Sequence, residues 1–173
     1  MKRLLTLPAP ENAPKCEVRT YNPEDNDIRT VLSDLADQWE DARVVMAVHL
    51  PDRTLRTGTD VGIFLEQAPM ALRLLEAGMP CTITMYEQTA MLNIDIIPEA
   101  AQAHLTSRPW DAGTNRQTWE LEMSTVLDDL RAGIALVEWC VADSQSDLIR
   151  LWVRDWRHGA PGDSSDVERR GKS

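Results

Sequence analysis

Apolar positions along this chain of 173 residues switch between a helical and a strand period, and the switches mark out its elements. Between residues 27 and 41, Ile28, Val31, Leu32, Leu35 and Trp39 recur at helical spacing and fall within about 100° of arc. Asp27, Asp34, Asp37 and Asp41 form a second stripe roughly 140° away on the same helix. Residues 43–50, RVVMAVHL, are rich in β-branched types and predict a strand. Pro51-Asp52 then predicts a turn, with residues 53–57 pairing back. Thr59 or Asp60 caps a second helix whose stripe is Val61, Phe64, Leu65, Ala68, Leu72 and Leu75, and Gly78 ends it. Pro69 lies inside that stripe and predicts a kink or a break into two short helices.

Alternation returns at Cys81, Ile83 and Met85 and again at Leu92, Ile94 and Ile96, with residues 87–90 as the hairpin loop between two strands. Residues 101–107 add a strand, and residues 108–115, with Pro109, Trp110 and Gly113, form a loop. The longest helix is expected over residues 117–142, where Trp119, Met123, Val126, Leu127, Leu130, Ile134, Val137 and Val141 share one face. Residues 147–158 alternate like a strand at Ile149, Leu151 and Val153. Capping serines at Ser144 and Ser146, and the closing Arg157, His158 and Gly159, favour a helix instead. Residues 16–21 alternate as an opening strand that Asn22-Pro23 breaks.

The order is therefore β-α-β(β)-α-β-β-β-α-α, and its short connections imply a mostly antiparallel sheet. We read an α+β fold with three to four helices packed against that sheet. Residues 1–15, with three prolines, form an extended N-terminal arm; residues 16–158 form a single domain; residues 159–173 form a flexible polar tail.

Charge changes this picture most. Residues 24–41 carry seven acids against one base, Arg29, and residues 117–147 carry seven acids against one base, Arg131. Each stretch nets −6 while the remainder nets +2, giving the formal −10 of the whole. Solvent-facing helices usually mix signs and gain i,i+4 pairs, and these two do not. Such a surface either keeps the protein soluble or steers a basic partner, and we take the second reading forward. Asp34, Asp37 and Asp41 on one helix, and Asp128 and Asp129 on the other, are the steering candidates. A pI near 4.7 argues against direct nucleic-acid or anionic-membrane binding. Three cysteines, odd in number and far apart, suit reduced thiols in a cytoplasm.

No catalytic motif is readable. The eight glycines form no phosphate loop, and no H-E-x-x-H, C-x-x-C or G-x-S-x-G is present. His49, His104 and His158 are scattered, and Asp25-Asn26-Asp27 lacks the glycine and distal glutamate of a calcium loop. No cofactor or metal is expected, and none of the residues is assigned a catalytic role.

Two tryptophans are candidate anchors. Trp139 projects opposite the main apolar stripe of its helix, beside Ala132, Ala135 and Leu136 and between Asp128, Asp129 and Asp143. Either Leu151, Trp152 and Trp156 fold back over it, or it is an aromatic anchor inside an acidic rim, the composition of a protein–protein hot spot. Trp110, in its proline-containing loop, either plugs a core edge or is a second anchor.

The stretch Asp60-Val61-Gly62-Ile63-Phe64-Leu65-Glu66-Gln67-Ala68-Pro69, followed by Met85-Tyr86-Glu87-Gln88, resembles small acidic bacterial immunity proteins encoded beside polymorphic or contact-delivered toxins. The resemblance implies a cytoplasmic α+β protein that binds its toxin stoichiometrically and blocks it. Nuclease toxins are basic because they hold phosphate backbones, so an acidic inhibitor would find one quickly. The alternative is an adaptor, chaperone or self-assembling accessory protein, in which the strip around Trp139 makes a homodimer or a cargo surface.

Overall fold

The computed structural model describes residues 3–13, 20–86, 91–111 and 115–158. Among these described residues, two antiparallel sheets and four α-helices make an α+β fold. The smaller sheet has the order β1-β2-β3, formed by Leu5–Thr6, Ala47–His49 and Thr54–Leu55. The larger is a meander, β4-β5-β6-β7, formed by Cys81–Met85, Leu92–Glu99, Gln102–Pro109 and Gln117–Glu122. The helices are α1 (Ile28–Asp41), α2 (Gly58–Glu76), α3 (Met123–Val141) and α4 (Asp147–Arg157).

The period-two pattern decides which face of the meander is dry. Cys81, Ile83, Met85, Leu92, Ile94, Ile96, Ala103, Leu105 and Leu121 are buried, while their neighbours in sequence face outward. Helices α2 and α3 pack on the dry side, α1 packs on α2, and α4 touches all three other helices. One continuous core results, centred on Phe64, Leu65, Leu32, Leu35 and Trp39.

Several local expectations need correction. The long helix starts at Met123, because residues 117–122 form β7. Gln-Thr-Trp-Glu-Leu-Glu alternates polar with apolar, and pairing with β6 from Gln102↔Glu122 to Ser107↔Gln117 takes precedence over a helical extension. β6 itself runs on to Pro109, so part of the expected loop at 108–115 is strand. Pro69 does not divide α2, which is one uninterrupted helix with Pro69 buried inside it. The missing amide of Pro69 deprives the carbonyl of Leu65 of its usual donor, a cost that core burial offsets. The expected strand at 43–50 shortens to Ala47–His49. Residues 147–157 are helical, as favoured. Of the expected opening strand, residues 16–19 lie outside the described residues, as do the hairpin loop at 87–90 and the tail at 159–173.

The N-terminal residues enter the structure. Leu5–Thr6 pairs antiparallel with β2, and Leu4 and Leu5 are buried in the common core. Their amides both donate to one carboxylate oxygen of Asp129, at 2.9 and 3.0 Å. An acid on α3 thereby ties the first strand, and through it the small sheet, to the rest of the fold.

Helices α1 and α2 approach closely where α2 has glycine. A methyl on Gly58 would lie 2.8 Å from the carbonyl oxygen of Ala36 and 2.9 Å from Asp37 Oδ1, and one on Gly62 would lie 3.4 Å from the carbonyl oxygen of Leu32. At Gly133 on α3 the nearest atom is Leu65 Cδ2 at 2.7 Å, the end of a movable side chain. Gly58→Ala is therefore expected to cost about 1–3 kcal/mol, since backbone must shift. Gly133→Ala gains about 1 kcal/mol of helix propensity against a small repacking cost and is expected to be near neutral. Urea denaturation of the two variants checks this; equal losses would show that the α1–α2 approach has no special tightness.

Candidate functional site

The first acidic stretch is held on a rigid helix. Asp27 is the N-cap of α1, its carboxylate accepting from the Arg29 amide at 2.9 Å, and it also pairs with the Arg29 guanidinium at 2.7 Å. The lone base of the stretch is thus engaged by its own neighbour. Burial works against the Asp27 charge but the Arg29 contacts prevail, and its pKa is lowered. Glu24, Asp25, Asp37, Glu40 and Asp41 are exposed. Asp34 is half-buried and accepts from the Tyr21 hydroxyl at 2.9 Å.

Glu40 explains why acid at the C-terminal end of α1 is tolerated. Its Oε2 accepts from the amide of Gly58 at 2.5 Å, the first residue of α2. The carboxylate opposes the dipole of its own helix and complements that of the next. Thr57 completes the α2 N-terminus by accepting from the Asp60 amide at 3.1 Å, while its hydroxyl donates to the buried Asp60 carboxylate at 2.6 Å.

The second stretch has a different fate. Asp129 is only 2% exposed and takes two backbone amides, with Arg3 3.3 Å away. Burial pushes its carboxyl above the ordinary range despite those partners. It is a structural residue and offers no surface to a partner. Asp128 is exposed but pairs with Arg131 at 3.2 Å, which also holds Glu76 at 2.7 Å. Glu138 pairs with Arg157 at 2.6 Å, and Asp147 with Arg150. Glu120 lies 3.1 Å from His104, which also faces Glu99 at 3.2 Å. Arg157 on α4 and Arg3 near the N-terminus, both distant in sequence, pair with Glu138 and Asp129, and Arg131 and Arg150 pair with acids three residues away, so the two stretches are not equivalent in the fold.

Trp139 is 41% exposed and Leu151 is 42% exposed. Helix α4 buries Ile149, Val153 and Trp156 instead: Trp156 donates Nε1 to the carbonyl of Glu66 at 3.0 Å, and half-buried Trp152 meets Tyr21 edge-on with ring centroids 6.1 Å apart. Around Trp139, Ala132 and Ala135 are exposed and Leu136 is buried, so the strip is narrower than its sequence suggests. Trp110 is 48% exposed at the end of β6, with Nε1 donating to Asn93 Oδ1 at 3.3 Å. The structure groups Asp34, Asp37 and Asp41 on α1 and separates both tryptophans from them by element.

Two features have no counterpart in the sequence reading. A cleft of about 480 Å³ lies between β7 and the small sheet, lined by Arg3, Thr6, His49, Leu50, Trp119 and Leu121. In it the Thr6 hydroxyl and His49 Nε2 are hydrogen-bonded at 2.7 Å. The other is the outer face of the meander, where Asp95 is clamped by Arg108 and accepts from the Thr82 hydroxyl at 2.8 Å. The Arg108 guanidinium holds the Asp95 carboxyl below its usual value. Cys81 and Cys140 are buried, and burial, with Asp95 nearby, pushes the Cys81 thiol up to about 12, unsuited to a nucleophile. Among the described residues no group of three or more His, Cys, Asp or Glu is placed to hold a metal ion, and no helix is long and apolar enough to cross a membrane.

No protein family, curated protein or solved structure matches the chain.

Proposed function

We propose that this protein acts by binding a basic protein one-to-one and blocking it, as an immunity protein does its toxin. The observation that carries the reading is the exposed acid of residues 24–41, displayed on and beside a rigid helix whose one base is engaged by Asp27. A fixed field of one sign accelerates encounter with a partner of the opposite sign and contributes little to folding. The Cys81 thiol is buried and shifted upward, and Asp129 and Asp60 are engaged in backbone and capping hydrogen bonds, which supports a binding role over a catalytic one. A nuclease is the foremost partner class, since an enzyme that holds phosphate presents the cationic face this surface complements.

Purification of the tagged protein from its native cells at low salt tests the reading. One basic protein should co-purify in equal amount and be released as salt rises. Recovery of the chain alone, or of a neutral or acidic companion insensitive to salt, would overturn it.

The exposure of Trp139 and Leu151 favours a second reading, an accessory protein that self-associates or holds cargo through α3 and α4. Sedimentation separates the two, because a stable homodimer that shields Trp139 from fluorescence quenching belongs only to the second.

A further inference from the structure

The meander has two edges, and they are treated differently. Hydrogen-bonded and non-bonded pairs alternate along an antiparallel ladder, so each edge strand points every second residue's amide and carbonyl outward. On β4 those of Thr84 are taken by one side chain: Gln67 Nε2 donates to the Thr84 carbonyl at 2.9 Å and Gln67 Oε1 accepts from its amide at 2.8 Å. The Gln67 amide stands in for a neighbouring strand and closes that edge.

On β7 the Met123 amide donates to the Ala101 carbonyl at 2.8 Å, which sets the phase of the ladder. Leu121 and Trp119 then bond toward β6, across Ala103 and Leu105, and the backbone groups of Thr118, Glu120 and Glu122 point away from the sheet. All three residues are exposed. Beneath this edge, on the side of Trp119 and Leu121, lies the cleft shared with the small sheet.

We propose that β7 is a docking edge that accepts an extended segment of the basic partner as a fifth strand. Alternate side chains of an added strand fall on opposite faces. One set would lie beside Glu120 and Glu122 on the open face, which suits lysine or arginine across the strand. The other set would enter the cleft, whose Trp119, Leu121 and Leu50 suit apolar side chains and whose Arg3 disfavours basic ones. A second copy of this chain fits poorly, because antiparallel β7–β7 pairing centred on Glu120, or between Glu120 and Glu122, sets glutamate opposite glutamate. The sign of the partner's charge rests on the proposed function; the open edge does not.

The test is amide hydrogen exchange on the full chain, read by NMR, with three synthetic peptides of eight residues. One alternates lysine with valine, one has the same residues in two blocks, and one alternates glutamate with valine. The alternating lysine peptide should slow exchange at Thr118, Glu120 and Glu122 at least about tenfold, and the block peptide should not. Glu120→Pro removes one outward amide outside the ladder, a substitution edges accept, and should weaken binding about tenfold with the amides of β5 and β6 still protected. Should that variant unfold, Glu120→Lys with Glu122→Lys should shift preference to the glutamate peptide. Unchanged exchange at the edge with every peptide overturns the docking edge and leaves the acidic α1 surface as the binding site. Equal protection by the glutamate peptide overturns the basic strand and, with it, the charge sign of the proposed function.

Discussion

Asp129→Ala is expected to destabilise the fold by about 2–5 kcal/mol, because two buried amides would each lose an acceptor at about 1–3 kcal/mol. Those amides belong to Leu4 and Leu5, both in the core, so the loss falls on the docking of β1 and on the small sheet it begins. Asp128, one residue earlier, is exposed and pairs with Arg131 on the surface. Asp128→Ala should cost less than about 1 kcal/mol. Urea denaturation of the pair decides the matter: losses of similar size would mean that Asp129 does not hold the N-terminal strand.

The same residue predicts a pH dependence with a definite sign. Burial raises the Asp129 carboxyl above its ordinary 3.8, so the folded state holds that proton more tightly than the unfolded chain does. Its contribution to stability is fully present below 3.8 and is lost as the pH rises through the raised value. Asp95 works in the opposite sense. The Arg108 guanidinium lowers its carboxyl, so its contribution is present above 3.8 and is lost as the pH falls through the lowered value. Stability of the wild type relative to Asp129→Asn should therefore grow on acidification through the carboxylate range. A relative stability that shrinks there would show that the two amides and Arg3 outweigh burial.

Most of the architecture was legible because it depends on periodicity. The strands bury every second residue over 81–85 and 92–96, and α1 turns Val31, Leu32, Leu35 and Trp39 inward, as the apolar spacing requires. The failure at 117–122 has a physical origin: Trp119 fits the helical stripe that runs on through Met123 and Val126, while Trp119 and Leu121 together fit only a strand, and pairing with residues 102–109 decides for the strand. Residues 5–6 are too few to show a period, and their pairing depends on β2 and on Asp129, more than 120 residues away. The candidate surface was half legible. Acid on α1 could be counted from the sequence, whereas Arg157 reaching Glu138, and Arg131 reaching Glu76, are products of the fold. Spacing gave no warning that Asp129 would be buried beside an exposed Asp128. The open edge at β7 has no sign in the spacing, because Trp119 continues the helical stripe of α3 and the pattern predicts a helix there.

Exchanging Asp37 and Asp41 for lysine is expected to slow association with the basic partner by about 10–100-fold at low ionic strength, since four units of charge change on one face. Both residues are exposed on the last turns of α1. At Asp41 lysine complements the dipole of α1 where aspartate opposes it, whereas Asp37 lies against Gly58 at the α2 N-terminus and lysine there is expected to cost some stability, so Asp41→Lys alone is the control for folding. Glu40, which holds the amide of Gly58, is left in place. A variant as stable as the wild type and yet slow to associate separates steering from folding. At ~0.5 M salt the screening length falls well below 10 Å, and the two proteins should then associate at similar rates. Charge reversal at Asp128, already shared with Arg131 and indirectly with Glu76, should have a smaller effect. Stopped-flow association of the co-purified partner with each variant gives the ordering. A larger loss at Asp128 than at Asp37 and Asp41 would move the steering face from α1 to α3, beside the exposed surface around Trp139.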